Sequence, residues 1–133
     1  VKTAGVLMSL SDTYETNVLN YLFTASAATR PTAWYVGLQT SSNTDDTPGA
    51  EISGGAYARQ SVALTVTDNL ATNSGVLAWP TATSEWGDIT SVAVYDAATS
   101  GNQIAHADLT VVKNVGVGDN FRIMSGQLDI TLE

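Results

Sequence analysis

The stretch from Asp88 to Val112, DITSVAVYDAATSGNQIAHADLTVV, reads as strand, turn, strand. Two runs rich in Val, Ile and Thr flank AATSGN, whose Ser, Gly and Asn suit a turn between paired strands. The same pattern extends outward in both directions. AWYVGLQ (33–39) alternates Trp34, Val36 and Leu38 against Tyr35, Gly37 and Gln39. AYARQSVALTV (56–66) and SGVLAWP (74–80) read as strands, the latter stopped by Pro80. NVGVGDN (114–120) turns into FRIM, and QLDITL (127–132) alternates again. About seven to eight short strands at this spacing predict a mainly all-β fold, a single antiparallel β-sandwich or jelly roll.

One helix precedes the strands. Asp12 and Glu15 have capping-box spacing, with a carboxylate in place of the usual hydroxyl cap. Tyr14, Val18, Tyr21 and Leu22 follow at helical spacing, so a helix is expected from Thr13 to Phe23, ended before Pro31. Residues 1–10 are expected to form an N-terminal arm that reaches a neighbour, and residues 11–133 a single domain. Val1 stands where a start would have Met, and Met8 is a second plausible start.

Composition narrows the function. The chain has 133 residues, one domain's worth, and is 14% charged where about 25% is usual. Net charge is −8 with five basic residues, which argues against nucleic acid and anionic lipid as partners. There is no cysteine, which excludes disulfides, thiolate metal sites and cysteine nucleophiles. No apolar run is long enough to span a membrane as a helix.

Sites of chemistry are sparse. His106 and Asp108 lie two apart on one strand face, like half of a triad, but no G-x-S-x-G elbow supplies a nucleophile. Asp45 and Asp46 in the polar loop Thr40–Gly55 lack the ladder of a calcium loop. Gly116–Gly118 reads as a turn, not a phosphate loop. No catalytic, metal or cofactor site is expected. The candidate interface residues are Tyr57, Arg59 and Trp86. If Val62, Leu64 and Val66 face the core, parity puts Tyr57 and Arg59 on the outward face, unless a bulge at Gly54–Gly55 swaps the two. There Arg59 pairs with a carboxylate or carbonyl, within the subunit or across an interface where Tyr and Arg are enriched. Trp86, in SEWGDI, is the best candidate for an exposed aromatic.

Several segments taken in order carry a resemblance: TYETNVLNYLF, WYVGLQT, EISGGAYARQSV, WGDITSVAVYDAATSGNQIAHADL and GDNFRIMSGQLDITL. Over residues 9–133 the chain resembles small tailed-bacteriophage virion proteins of the kind labelled phage tail fibre protein. The resemblance implies a β-rich structural component of the virion without catalysis or cofactor. No repetitive shaft is present, so the expectation is a compact homo-oligomer, a trimer, docked in many copies on the major capsid protein as a decoration or cement module. The alternative is a tail or neck fibre component adsorbing to a host receptor or glycan. Its tip would be Trp86, the turn Asp96–Asn102 and the loop Thr40–Gly55.

Overall fold

The chain is represented by a computed structural model that describes residues 2–3 and 5–132. In chain order the elements are β1 (Lys2–Thr3), β2 (Val6–Leu10), α1 (Asp12–Phe23), β3 (Tyr35–Gln39), β4 (Gln60–Ser61), β5 (Leu64–Thr67), β6 (Leu70–Asn73), β7 (Leu77–Ala78), β8 (Gly87–Tyr95), β9 (Gln103–Val115), β10 (Phe121–Ile123) and β11 (Leu128–Thr131). Eight strands form one sheet in the order β4-β3-β8-β9-β2-β11-β6-β5, and three form a smaller one, β1-β10-β7. The all-β reading is correct. The quoted hairpin is its spine: β8 and β9 run antiparallel from Gly87↔Val115 to Tyr95↔Gln103. The register shifts between Ile89 and Ser91, opposite residues 109–112 of β9, and Val111 and Val112 there are exposed.

The large sheet curls until its two edges meet. β4 is one edge and β5 the other, yet only Val62 and Ala63 separate them in sequence. The amide of Val62 donates to the carbonyl of Trp34 beside β3, while the carbonyl of Ala63 accepts from Ser74 beyond β6. One segment, 60–67, therefore pairs with one end of the sheet by its first half and with the other end by its second. Such corner segments bend as they change partners, and the facing of their side chains changes with them.

Not every pair is antiparallel. β11 runs parallel to β2 (Leu128↔Val6), and β1 parallel to β10 (Lys2↔Phe121). Residues 6–10, expected within an arm, are instead an interior strand between β9 and β11, with Val6 and Met8 buried. The sequence reading also passed over the β5–β6 hairpin. Its turn, Asp68-Asn69, lies between LTVT and LATN, and Asp68 has a φ of 55°. That is the two-residue turn chemistry of a hairpin. Gly118, at φ 85°, sits in the turn expected at Gly116–Gly118.

The core is filled by Phe121, Leu38, Ile89, Ile123, Leu128, Val36, Val92, Val94 and Val115, each fully buried. β8 is buried on both faces from Ser91 to Tyr95, because the loop Thr40–Gly55 folds over its outer side. Polar side chains fasten that cover. Gln39 donates to Tyr95 Oη at 2.7 Å, Asn43 Nδ2 donates to Ser91 Oγ at 3.0 Å, and Asn43 Oδ1 accepts from the Gly49 amide at 2.8 Å. Buried polar groups need such partners.

Helix α1 begins one residue earlier than expected, and its cap is Ser11, not Asp12. The Ser11 hydroxyl donates to the carbonyl of Gln103 at 2.7 Å and so ties the helix start to β9 instead of capping it. Asp12 and Glu15 sit in the first turn, where the helix dipole favours negative charge.

Candidate functional site

Tyr57, Arg59 and Trp86 come together, but inside the molecule. The turn Gly54–Gly55–Ala56, all at positive φ, delivers Tyr57 with its amide bonded to the Gly54 carbonyl. Tyr57 and Arg59 both precede β4 and face inward. Val62, three residues after Arg59, also faces inward, so the alternation shifts phase at Gln60–Ser61, where the segment pairs with β3. Extrapolating parity back from Val62 therefore puts Arg59 on the wrong side. Of the three core positions assumed, Val62 is buried, Leu64 half-buried and Val66 exposed, because the corner turns β5 onto the far edge of the sheet.

Arg59 is held from every side. Its Nε donates to Glu51 Oε1 at 2.8 Å and its Nη2 to Glu51 Oε2 at 2.7 Å, a two-pronged ion pair. Its Nη1 donates to the carbonyls of Ala97 at 2.8 Å and Ser100 at 2.7 Å, in the β8–β9 turn. The guanidinium lies 3.5 Å from the centre of the Tyr95 ring. Only 7% of the Arg59 side chain is exposed. Tyr57 Oη donates to Glu51 Oε1 at 2.8 Å and accepts from the Leu38 amide at 2.9 Å. Trp86, expected in the open, is 6% exposed: its indole N–H donates to the Gly55 carbonyl at 2.9 Å and its ring meets the edge of Tyr57 at 5.5 Å. This cluster is a brace that joins the loop Thr40–Gly55 to the turn Asp96–Asn102. Both pieces of the expected tip are adjacent, with their aromatic packed beneath them.

Charge in the brace is well matched. Burial alone would lower the Arg59 pKa, but the Glu51 hydrogen bonds and charge outweigh it and raise it. Asp96 at the turn is lowered despite its burial, because Asn102 donates through its amide at 2.7 Å and its side chain at 2.9 Å. Tyr14 of α1 donates to Asp96 Oδ2 at 3.2 Å. Burial, and then the Asp96 carboxylate, push the Tyr14 phenol up to about 12. Burial is also the leading cause that raises Tyr57 and Tyr95.

These shifts fix a sign. In the unfolded chain the tyrosines ionise near 10.0, and in the folded protein they keep their protons to higher pH. The unfolded state then binds fewer protons, so stability falls as pH rises from about 10 through 12. The phenolate absorbance of these three tyrosines should therefore rise together with the shift of tryptophan emission, in one cooperative alkaline transition. Smooth ionisation of all five tyrosines near pH 10 with no unfolding would contradict their burial.

The triad fragment does not form. His106 Nε2 lies 2.7 Å from Asp45 Oδ1, whereas Asp108 accepts from Ser42 Oγ at 2.9 Å. Among the described residues no group of three or more His, Cys, Asp or Glu is placed to hold a metal ion. Among them too, no helix is long and apolar enough to cross a membrane.

One surface open to a partner is α1, where exposed apolar side chains are consecutive in sequence. Of its twelve residues only Tyr14 is buried. Leu19, Tyr21, Leu22 and Phe23 are 58%, 75%, 60% and 77% exposed. A shallow apolar groove runs between Tyr14, Val18, Tyr21 and Leu22 and the segment 28–31. The helical pattern itself was the signal for this surface. Its apolar positions were legible as a helix face, but not the fact that the domain leaves most of that face uncovered.

None of the curated proteins matches the chain. The family model described as podophage GP4 fiber I protein gp80 matches residues 9–131, a span that takes in α1, the brace and all but the first strands of both sheets. The chain therefore belongs to that family of phage fibre-type structural proteins.

Proposed function

We propose that the chain is a non-enzymatic fibre component of a tailed-phage particle, built to be held by neighbouring subunits. The family description carries this reading, since it names a fibre and not a shell protein. The arrangement of the molecule agrees with it. The polar groups that could do chemistry, Arg59, Glu51, Tyr57 and Tyr95, are spent on one another, while apolar side chains on α1 face solvent. Capsid decoration, with the major capsid protein as partner, is the competing position and has no observation of its own. Adsorption through a tip at the loop Thr40–Gly55 would use polar backbone and small side chains, because Trp86 is packed underneath.

The deciding experiment is to locate the protein in imaged particles, with an antibody or a fused tag. A few copies at the tail or neck fit the fibre component. Many copies distributed over the shell would sink it in favour of decoration, and turnover of host polysaccharide by purified protein would overturn the non-enzymatic part.

A further inference from the structure

We infer that α1 is a head-to-tail self-association element: the Leu19–Phe23 side of one copy seats in the groove beside Tyr21 and Leu22 of the next. This does not depend on where in the particle the chain sits.

Three observations carry it. The first is the state of the helix. A twelve-residue helix is marginal in water unless an apolar face is packed. Here Val18, Leu19, Tyr21, Leu22 and Phe23 surround the last turns, interrupted by Asn20. A helix apolar on all sides belongs in a packed environment, and the domain covers only its Tyr14 side.

The second is that its two apolar faces are opposed. At 3.6 residues per turn, Leu19 and Phe23 point about 150° away from the centre of the groove face formed by Tyr14, Val18 and Tyr21, with Leu22 at the edge of that face toward them. One face is a groove and the other a protruding pair at i, i+4 spacing. A two-fold contact would need one patch that complements itself. A knob opposite a groove gives a heterologous contact, and the smallest ring such a contact closes has three copies.

The third is charge. Each copy carries −8, so copies repel except where charge is missing. Residues 16–29 contain no Asp, Glu, Lys or Arg. Flanking this neutral surface, exposed Glu15 lies one turn before Leu19 on the knob side, and Arg30 lines the rim of the groove. A head-to-tail contact brings those opposite charges toward one another, whereas a partner recognised by strong charge finds nothing to grip. The four exposed side chains supply on the order of 500 Å². The adjoining segment 24–29, exposed except at Ala28, extends this toward the roughly 1,000 Å² a stable contact needs. The single contact is weak, and closure of a ring adds the avidity.

Sedimentation of the full chain tests this. Wild type should associate as its concentration rises to about 100 μM, with the helical circular-dichroism signal rising in parallel. Two variants at exposed positions separate the faces: Leu19→Gln with Phe23→Gln removes the knob, and Tyr21→Gln with Leu22→Gln spoils the groove. Each should weaken self-association about 100-fold or more. Their equimolar mixture, taken to about 1 mM because its single contact lacks ring closure, should give a complex of two chains, because one intact knob still meets one intact groove. A wild type that stays monomeric, a variant that associates like wild type, or a mixture no larger than its separate components would each overturn the inference. Near-ultraviolet dichroism from Trp79 and Trp86 reports that the body of each variant is folded.

Discussion

Glu51→Ala should cost about 3 kcal/mol of folding stability, the lower end of the range for breaking a buried ion pair. The lower end applies because 25% of the Glu51 side chain remains accessible and water can partly replace it. The substitution strips the guanidinium of both carboxylate oxygens while Arg59 stays almost fully enclosed. It also leaves Tyr57 Oη without its acceptor. A loss of this size is a large share of the about 5–15 kcal/mol that holds a domain together. Urea unfolding followed by tryptophan emission measures it, with Trp86 beside the cluster as the probe. Combining Glu51→Leu with Arg59→Met should recover part of the loss: an apolar pair of similar volume leaves no charge behind, while Tyr57 Oη and the carbonyls of Ala97 and Ser100 lose their partners. A cost below about 1 kcal/mol would place the pair in the class of surface salt bridges and undo the description of the cluster as a brace.

Phe121→Ala should be as damaging, at about 3–5 kcal/mol, through lost transfer energy and the cavity left behind. Phe121 is fully buried in β10, the middle strand of the small sheet, and its ring packs edge-on to Trp79 at 5.5 Å. The Trp79 amide also donates to the Phe121 carbonyl at 3.0 Å. The emission of Trp79 should shift to the red in the folded variant as its neighbour disappears. Phe121→Leu should cost far less, because most of the volume is kept. Equal losses for Ala and Leu would mean that packing at this point is not what stabilises the small sheet.

The parts of this fold that sequence reveals are those set by neighbours in sequence. The β8–β9 hairpin, the turn before β10, the existence of β3 and β11 as strands and the span of α1 each follow from local periodicity and turn residues; β3 itself is buried on both faces and does not alternate. What escaped depends on partners far away. VLMSL at 6–10 has too little pattern to announce a strand, and its parallel partner lies more than a hundred residues later, at Leu128. Arg59 points inward because the segment that follows it must turn a corner between two edges of the sheet. Periodicity is blind to such a corner, since LTVT at 64–67 alternates apolar and polar residues whether or not the apolar ones end up covered. Trp86 looked exposed because SEWGDI reads as a turn, and nothing local says that Gly55 will close over it.

The site was legible in a different way. An Arg paired within the subunit to a carboxylate and to backbone carbonyls was foreseeable as chemistry, and the pairing is there. Its direction was not, so residues expected to face a neighbour turned out to steady a loop. The surface left open, on α1, was visible only as a helix. Whether a helix face is covered is decided by the rest of the molecule.

The place of β11 in the sheet bears on how the protein comes into being. Residues 128–131 slot between β2, made more than a hundred residues earlier, and β6. Until that late segment leaves the ribosome, the curled sheet has a gap through its middle, with two strands facing each other across unpaired backbone. Closure waits for contacts of very long sequence separation, which form slowly. During that interval the open strand edges of several nascent chains can pair with one another. Folding without misassembly then depends on β11 arriving before the open edges of neighbouring chains do.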